Sequence, residues 1–295
     1  MQARRQTIVA ILLGFAVATA TITSAQDLIF ADDFESGSTD AWSAVVPPPP
    51  TAFRATDLDL RDPHLYVDAS PLCFDITDTG VPPLGVPSFN DQLAIAITQD
   101  GSGDGFLDLS LMMLLRPLDP LANGDANAEL TSGACTVPPA TTCAPESGNQ
   151  PEVTTYQGLA SGVCQDPILG STTGYTPAPP SPLAPCMVSA PVEASIDLGG
   201  TLVPLSDATV AATFTGAPPT GMVDGVLRGF LRETDADAVL IDPSIPFIGG
   251  QPLSSILPGG TNCCATHDDR DQLDGVSGWW MYLELTAEVV PWTGS

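Results

Sequence analysis

Lysine is absent from this 295-residue sequence, and eight arginines and two histidines face 35 acidic residues, for a net charge of −27. So few cations exclude nucleic-acid binding, which rests on basic side chains against phosphate. They also disfavour adsorption to anionic lipid. Long apolar runs are scarce. Ile8 to Ile22 is one, but it is short and rich in Ala and Thr. No later stretch approaches the ~20 strongly apolar residues of a membrane span. Catalytic signatures are missing too: there is no GxSxG elbow, no HExxH and no phosphate-binding glycine loop. With only His64 and His267 in the chain, any histidine-dependent mechanism must use one of those two.

What is present begins with an address. Arg4 and Arg5, the apolar run and Thr23-Ser24-Ala25 before Gln26 form an export signal over residues 1–25. The expected product is secreted, extracellular or periplasmic. Residues 26–50 read as a leader that ends in the Pro47–Pro50 run, a semi-rigid spacer. Residues 51–295 then form a single domain. Thirty prolines and 27 glycines alongside 43% hydrophobic residues describe strands joined by long connections. The expected fold is mainly β: a disulfide-stapled, sandwich-like or irregular β domain with one or two short helices.

All seven cysteines follow the signal, and in an exported protein they read first as disulfides. Zinc is the alternative, but it favours CxxC pairs or interleaved His, and neither is present. Ser132-Gly133-Ala134-Cys135 echoes Ser161-Gly162-Val163-Cys164, and each precedes a proline-rich loop and a second cysteine. This suggests Cys135–Cys143 and Cys164–Cys186, each closing a hairpin loop. Cys73 is left to Cys263 or Cys264, unless those two neighbours bond each other.

Ser88 suits the cap of a helix over Phe89 to Thr98, although Leu93, Ile95 and Ile97, spaced by two, suit a strand as well. Leu107 to Leu115 reads as a strand with its odd positions apolar, and residues 117–190 as loop held by bridges. A hairpin is expected around Gly199-Gly200, and strands at Val210–Phe214 and Met222–Phe230, the latter running into a short helix. The clearest element is Trp279–Val290, where Met281, Leu283, Leu285, Ala287 and Val289 alternate with polar residues.

Among segments suited to carry chemistry, Asp100, Ser102, Asp104, Phe106 (by its carbonyl) and Asp108 fall at alternating loop positions, with Gly105 at the turn. Hard calcium ions take oxygen ligands in that pattern. The segment resembles the calcium loops of EF-hand and dockerin repeats, although Leu111 stands where a bidentate carboxylate belongs, so it suits either a polar Gly-rich turn or a weak site for calcium, the one candidate cofactor. His267-Asp268-Asp269-Arg270-Asp271 and Arg61-Asp62-Pro63-His64 are compact polar clusters that suit either a solvated loop or acid–base chemistry. Glu284 and Glu288 belong on the solvent face of the last strand. Trp279, Trp280 and Tyr282 suit edge packing or a sugar-binding platform.

Phe34-Glu35-Ser36-Gly37, ending at Trp42, resembles the opening strand of extracellular jelly-roll modules, but the prolines interrupt it at once. It also resembles a segment near the mature start of exported bacterial proteins. Leu60–His64, Cys73–Asp78, Asp104–Ser110, Gly249–Ser254, His267–Asp271 and Gly278–Tyr282 together resemble a family of uncharacterised exported bacterial proteins. That resemblance implies export and the extent of the domain, and nothing catalytic. Function is thus readable as a class: a secreted or cell-surface acidic protein, structural or binding rather than enzymatic, meeting a glycan or protein partner. One competitor is a carboxylate-dependent hydrolase acting on glycans, which needs two of Asp62, Asp268, Asp269 and Asp271 about 5–9 Å apart. Another is a carbohydrate-binding module, which needs Trp279, Trp280 and Tyr282 exposed on one face.

Overall fold

In the last strand Met281, Leu283, Leu285 and Ala287 point to one side, and that side is the interior of the protein. The computed structural model describes residues 49–81, 87–197, 201–243, 245 and 248–294. The expected export signal, nearly all of the expected leader and the expected Gly199-Gly200 turn lie outside the described residues.

In chain order the elements are β1 (Thr51–Asp62), β2 (Tyr66–Ala69), β3 (Leu72–Asp75), α1 (Phe89–Thr98), β4 (Leu111–Arg116), β5 (Asn123–Cys135) and β6 (Cys143–Pro145). There follow β7 (Glu152–Leu159), β8 (Cys186–Ser189), β9 (Val192–Asp197), β10 (Leu202–Thr215), β11 (Gly221–Arg232) and α2 (Glu233–Ala238). A 3-10 turn (Leu253–Ile256), β12 (Asp271–Leu273) and β13 (Val276–Val290) complete the chain. The β-rich, disulfide-stapled domain with two short helices expected from the sequence is what the chain forms. Its main sheet closes on itself. Strands β1, β4, β5, β7, β8, β10, β11 and β13 pair in that order, and β13 returns to β1. Neighbours in this ring are successive ring strands in the chain and all pair antiparallel, an up-and-down barrel without a long open edge.

Changes of parity in the sequence are absorbed by bulges. On β1 the inward residues are Phe53 and Ala55, then Leu58 and Leu60, and the register shifts between Ala55 and Asp57. On β10 the inward set moves from Val203 and Leu205 to Ala208, Val210, Ala212 and Phe214. There the register slips between Ser206 and Thr209, with Asp207 at φ 52°. One extra residue in a strand re-aims every side chain beyond it, and Asp tolerates the left-handed region better than most residues.

The β1–β4 ladder covers only Thr51 to Arg54. Past it α1 lies along β1, capped by Ser88, whose side chain accepts from the Asp91 N–H. Asn90 stands in for the missing strand: its Oδ1 accepts from Leu60 N–H at 2.8 Å and its Nδ2 donates to Leu60 C=O at 3.1 Å. Buried Arg54 donates to the Ile97 carbonyl at 3.1 Å, meeting an end carbonyl of the same helix.

Several expectations change because the outside of the barrel is covered. The strand placed at 107–115 begins only at Leu111, and Met112 and Leu114 are buried on its outer face against Cys135, Cys143 and Trp292. Residues 117–190 are not only stapled loop, since they contribute β5, β6, β7 and β8. Trp280 and Tyr282, on the outer face of β13, are buried with Phe230 under Cys164 and Ile168. Trp279 is buried inside. The flat aromatic platform that sugar binding requires is therefore not formed, and Val289 is exposed where its alternation placed it inside. Glu284 and Glu288 are not free acids: Arg61 bonds the first at 2.7 Å and Arg54 the second at 3.3 Å.

Cys135 bonds Cys143, Cys164 bonds Cys186, and Cys73 takes Cys264 of its two possible partners. Cys263 is a free thiol.

Candidate functional site

The two histidines, remote in sequence, meet through Tyr175. His64 follows β1, Tyr66 opens β2, Tyr175 lies in the loop closed by Cys164–Cys186, and His267 and Asp269 precede β12. The Cys73–Cys264 bond ties the β2–β3 hairpin to the segment that carries His267. The His64 ring stacks on Tyr175 with centroids 3.6 Å apart and planes 5° from parallel. His64 is held by Asp75, with Nδ1 2.6 Å from Oδ2. At the far end of the same ring the Tyr175 hydroxyl donates to Asp269 Oδ2 at 2.8 Å and lies 2.7 Å from His267 Nε2. The Tyr66 hydroxyl is 3.5 Å from that of Tyr175, and the Tyr66 ring meets His267 edge-on.

The cluster is rich in negative charge. Burial pushes the Asp62 carboxyl up to about 7, against the Thr173 N–H bond and with the help of the charges on Asp269 and Asp271. Asp271 is raised by burial and by Asp269. Burial, with hydrogen bonds to Tyr66 and Asp269, drives the Tyr175 phenol far above its ordinary value. For Asp75 burial acts upward, but the bonds from His64 and the Thr77 N–H carry its carboxyl below the usual range. Burial also raises the free Cys263 thiol.

Of the four carboxyls that suit hydrolysis, Asp62 is acted on by the charges of Asp269 and Asp271, and Asp271 by that of Asp269, whereas Asp268 is turned onto Arg270. Asp62 is only 2% exposed and the Asp269 side chain 1%. Neither presents itself to a glycosidic bond. Tyr66, Tyr175 and Asp75 were not flagged by the sequence. Their signal is faint: two Asp-flanked histidines in a chain with no lysine.

The five residues expected to hold calcium form a self-bonded loop. The Asp100 carboxylate accepts from the Ser102 hydroxyl and from the N–H groups of Gly103, Asp104 and Gly105. Asp108 accepts from Gly101 and Ser102, and Asp104 from Phe106. The Gly105 bond, ahead of the others, holds the Asp100 carboxyl below its ordinary range. Gly105 turns the chain at φ 93°, a conformation other residues rarely take. Ser102, Asp104, Phe106 and Asp108 line an open hollow of about 320 Å³ to which Glu146 adds a further carboxylate. Among the described residues no three His, Cys, Asp or Glu side chains gather as a metal-binding group.

A different cavity, of about 150 Å³, opens at the barrel mouth. Leu58, Leu109, Leu130, Leu227 and Leu283 form its apolar wall, while Asn149, Gln150 and Glu152 stand at the rim. No helix among the described residues is long and apolar enough to cross a membrane. No protein-family model, curated protein or solved structure matches the chain.

Proposed function

We propose that this is an exported, non-enzymatic binding protein whose barrel mouth takes a small apolar molecule with a neutral or basic polar end. The supporting observation is the leucine-lined cavity of about 150 Å³. Eight-stranded barrels have an interior wide enough for one small ligand, and an apolar cavity of about this size accommodates benzene. Asn149, Gln150 and Glu152 at the rim offer hydrogen bonds to a polar end, and the net charge of −27 disfavours an anionic one. Three disulfides agree with an oxidising compartment. The proposal includes calcium as a steadying ion at the loop of Asp100, Ser102, Asp104, Phe106 and Asp108, supported by the hollow that four of them share with Glu146.

The test is thermal and calorimetric titration with benzene, indole and benzylamine. Saturation at about 100 Kd adds about 2.7 kcal/mol of stability. Ala194→Trp, which fills the cavity from its wall, should abolish the effect. No shift with any of the three probes refutes the reading.

A further inference from the structure

We infer that Tyr175, His267 and Asp269 form a binding site for ferric iron, coordinated by a phenolate, an imidazole and a carboxylate. Three donor groups from two distant segments converge here. Tyr175 Oη lies 2.7 Å from His267 Nε2 and 2.8 Å from Asp269 Oδ2, and His267 Nε2 lies 3.5 Å from Asp269 Oδ1. Around an octahedral ion with bonds of about 2.0–2.1 Å, neighbouring ligands stand about 2.9 Å apart. Two of the separations, from Tyr175 Oη to His267 Nε2 and to Asp269 Oδ2, are close to that spacing, so a metal ion would take the place of the hydrogen bonds that now join the donors.

The second observation is Asp269 itself. Its side chain is 1% exposed, yet its buried Oδ1 accepts no hydrogen bond. A buried carboxylate oxygen without a donor is costly, and a cation beside it removes the cost. Charge points the same way. Arg54, Arg61, Arg116, Arg232 and Arg270 are engaged with Glu288, Asp59 and Glu284, Glu129, Glu193, and Asp268 and Glu233 respectively. Among the described ion pairs none brings an arginine to Asp62, Asp269 or Asp271.

The donor set selects the ion. Two oxygens and an imidazole suit iron better than calcium or magnesium, which take oxygen alone. A phenol that donates to a carboxylate yields its proton only to a strongly polarising cation, which favours trivalent iron over zinc. On binding, the Tyr175 O–H bond breaks, its proton passes to solvent and the oxygen pair is donated to the metal; no oxidation state changes. His64, stacked on the ring and anchored by Asp75, is a positioning residue that aims the phenolate.

Full-chain protein stripped with EDTA is titrated with ferric nitrilotriacetate. The expected result is a visible phenolate-to-iron charge-transfer band saturating at one equivalent. Tyr66→Phe keeps it, Tyr175→Phe abolishes it, and His267→Gln weakens affinity at least tenfold. His267 is partly exposed, so His267→Gln gives the answer even if Tyr175→Phe fails to fold. No band in the native protein, an unchanged band in Tyr175→Phe, or native affinity in His267→Gln overturns the inference. The barrel-mouth cavity shares none of these residues, so its failure and this one are read separately.

Discussion

Breaking Cys73–Cys264 should cost far more stability than breaking Cys135–Cys143. The first bond spans 191 residues of sequence and the second 8. A cross-link restricts the unfolded chain by an entropy that grows with the logarithm of the loop it closes, about 5 kcal/mol for the long loop and about 2.5 for the short one. The other two bonds lie within the long span and shorten it by only 8 and 22 residues, which a logarithm hardly registers. The comparison needs a Cys263→Ser background, because the free thiol beside Cys264 can otherwise take over the bond to Cys73. In that background Cys73→Ser with Cys264→Ser is set against Cys135→Ser with Cys143→Ser, and both are unfolded in guanidinium at one pH. Individual losses commonly fall short of the entropic limit, so the quantity to measure is the difference, about 2–3 kcal/mol. Equal losses, or a larger loss for the short loop, would show that chain entropy is not what these bonds contribute.

Three further outcomes follow from the geometry. Asp62 carries a native value of about 7 against an ordinary 3.8, so the native state holds a proton that the unfolded state releases. Stability contributed by this group therefore falls as pH rises from about 4 to about 7, by at most about 4 kcal/mol. Asp62→Asn should flatten that slope in denaturation curves taken at pH 4 to 8 in EDTA, and an unchanged slope refutes the assignment. Asn90→Ala strips partners from both backbone groups of Leu60 and should cost about 2–4 kcal/mol by chemical denaturation; a loss below about 0.5 kcal/mol means that water replaces the amide. Calcium at millimolar level should raise the melting temperature and Asp104→Asn should reduce that rise, whereas identical melts in calcium and in EDTA remove calcium from the proposal.

What could be read in the sequence was local. The alternation over Met281–Ala287, the Ser88 cap and the cysteine echoes each depend on residues a few positions apart, and local patterns survive folding. What could not be read was decided by distant cover. Met112, Leu114, Trp280 and Tyr282 lie on faces that alternation gives to solvent, and they are buried because segments elsewhere in the chain lie over them. The bulges at Thr56 and Asp207 appear in the sequence as broken alternation, which also reads as a loop. The cluster was illegible for the same reason. His64 and His267 stand out in the sequence as its two histidines, but nothing near Tyr175 marks it as their meeting point.

The disulfides divide the protein into a part that needs them and a part that does not. Eight barrel strands are joined by continuous ladders around one apolar core, so the barrel is over-determined without any bridge. The segments bearing Tyr175, His267 and Asp269 have little regular structure apart from isolated turns, and Cys164–Cys186 and Cys73–Cys264 are the covalent links that secure them to the rest of the chain. Stepwise reduction by dithiothreitol should therefore dismantle the cluster first. The near-ultraviolet signal of the tyrosines and any iron-dependent colour should fade while the far-ultraviolet β signal persists, since local regions open at lower free energy than the core. Simultaneous loss of both signals would mean that barrel and cluster form one cooperative unit, with the bridges holding the whole sheet closed.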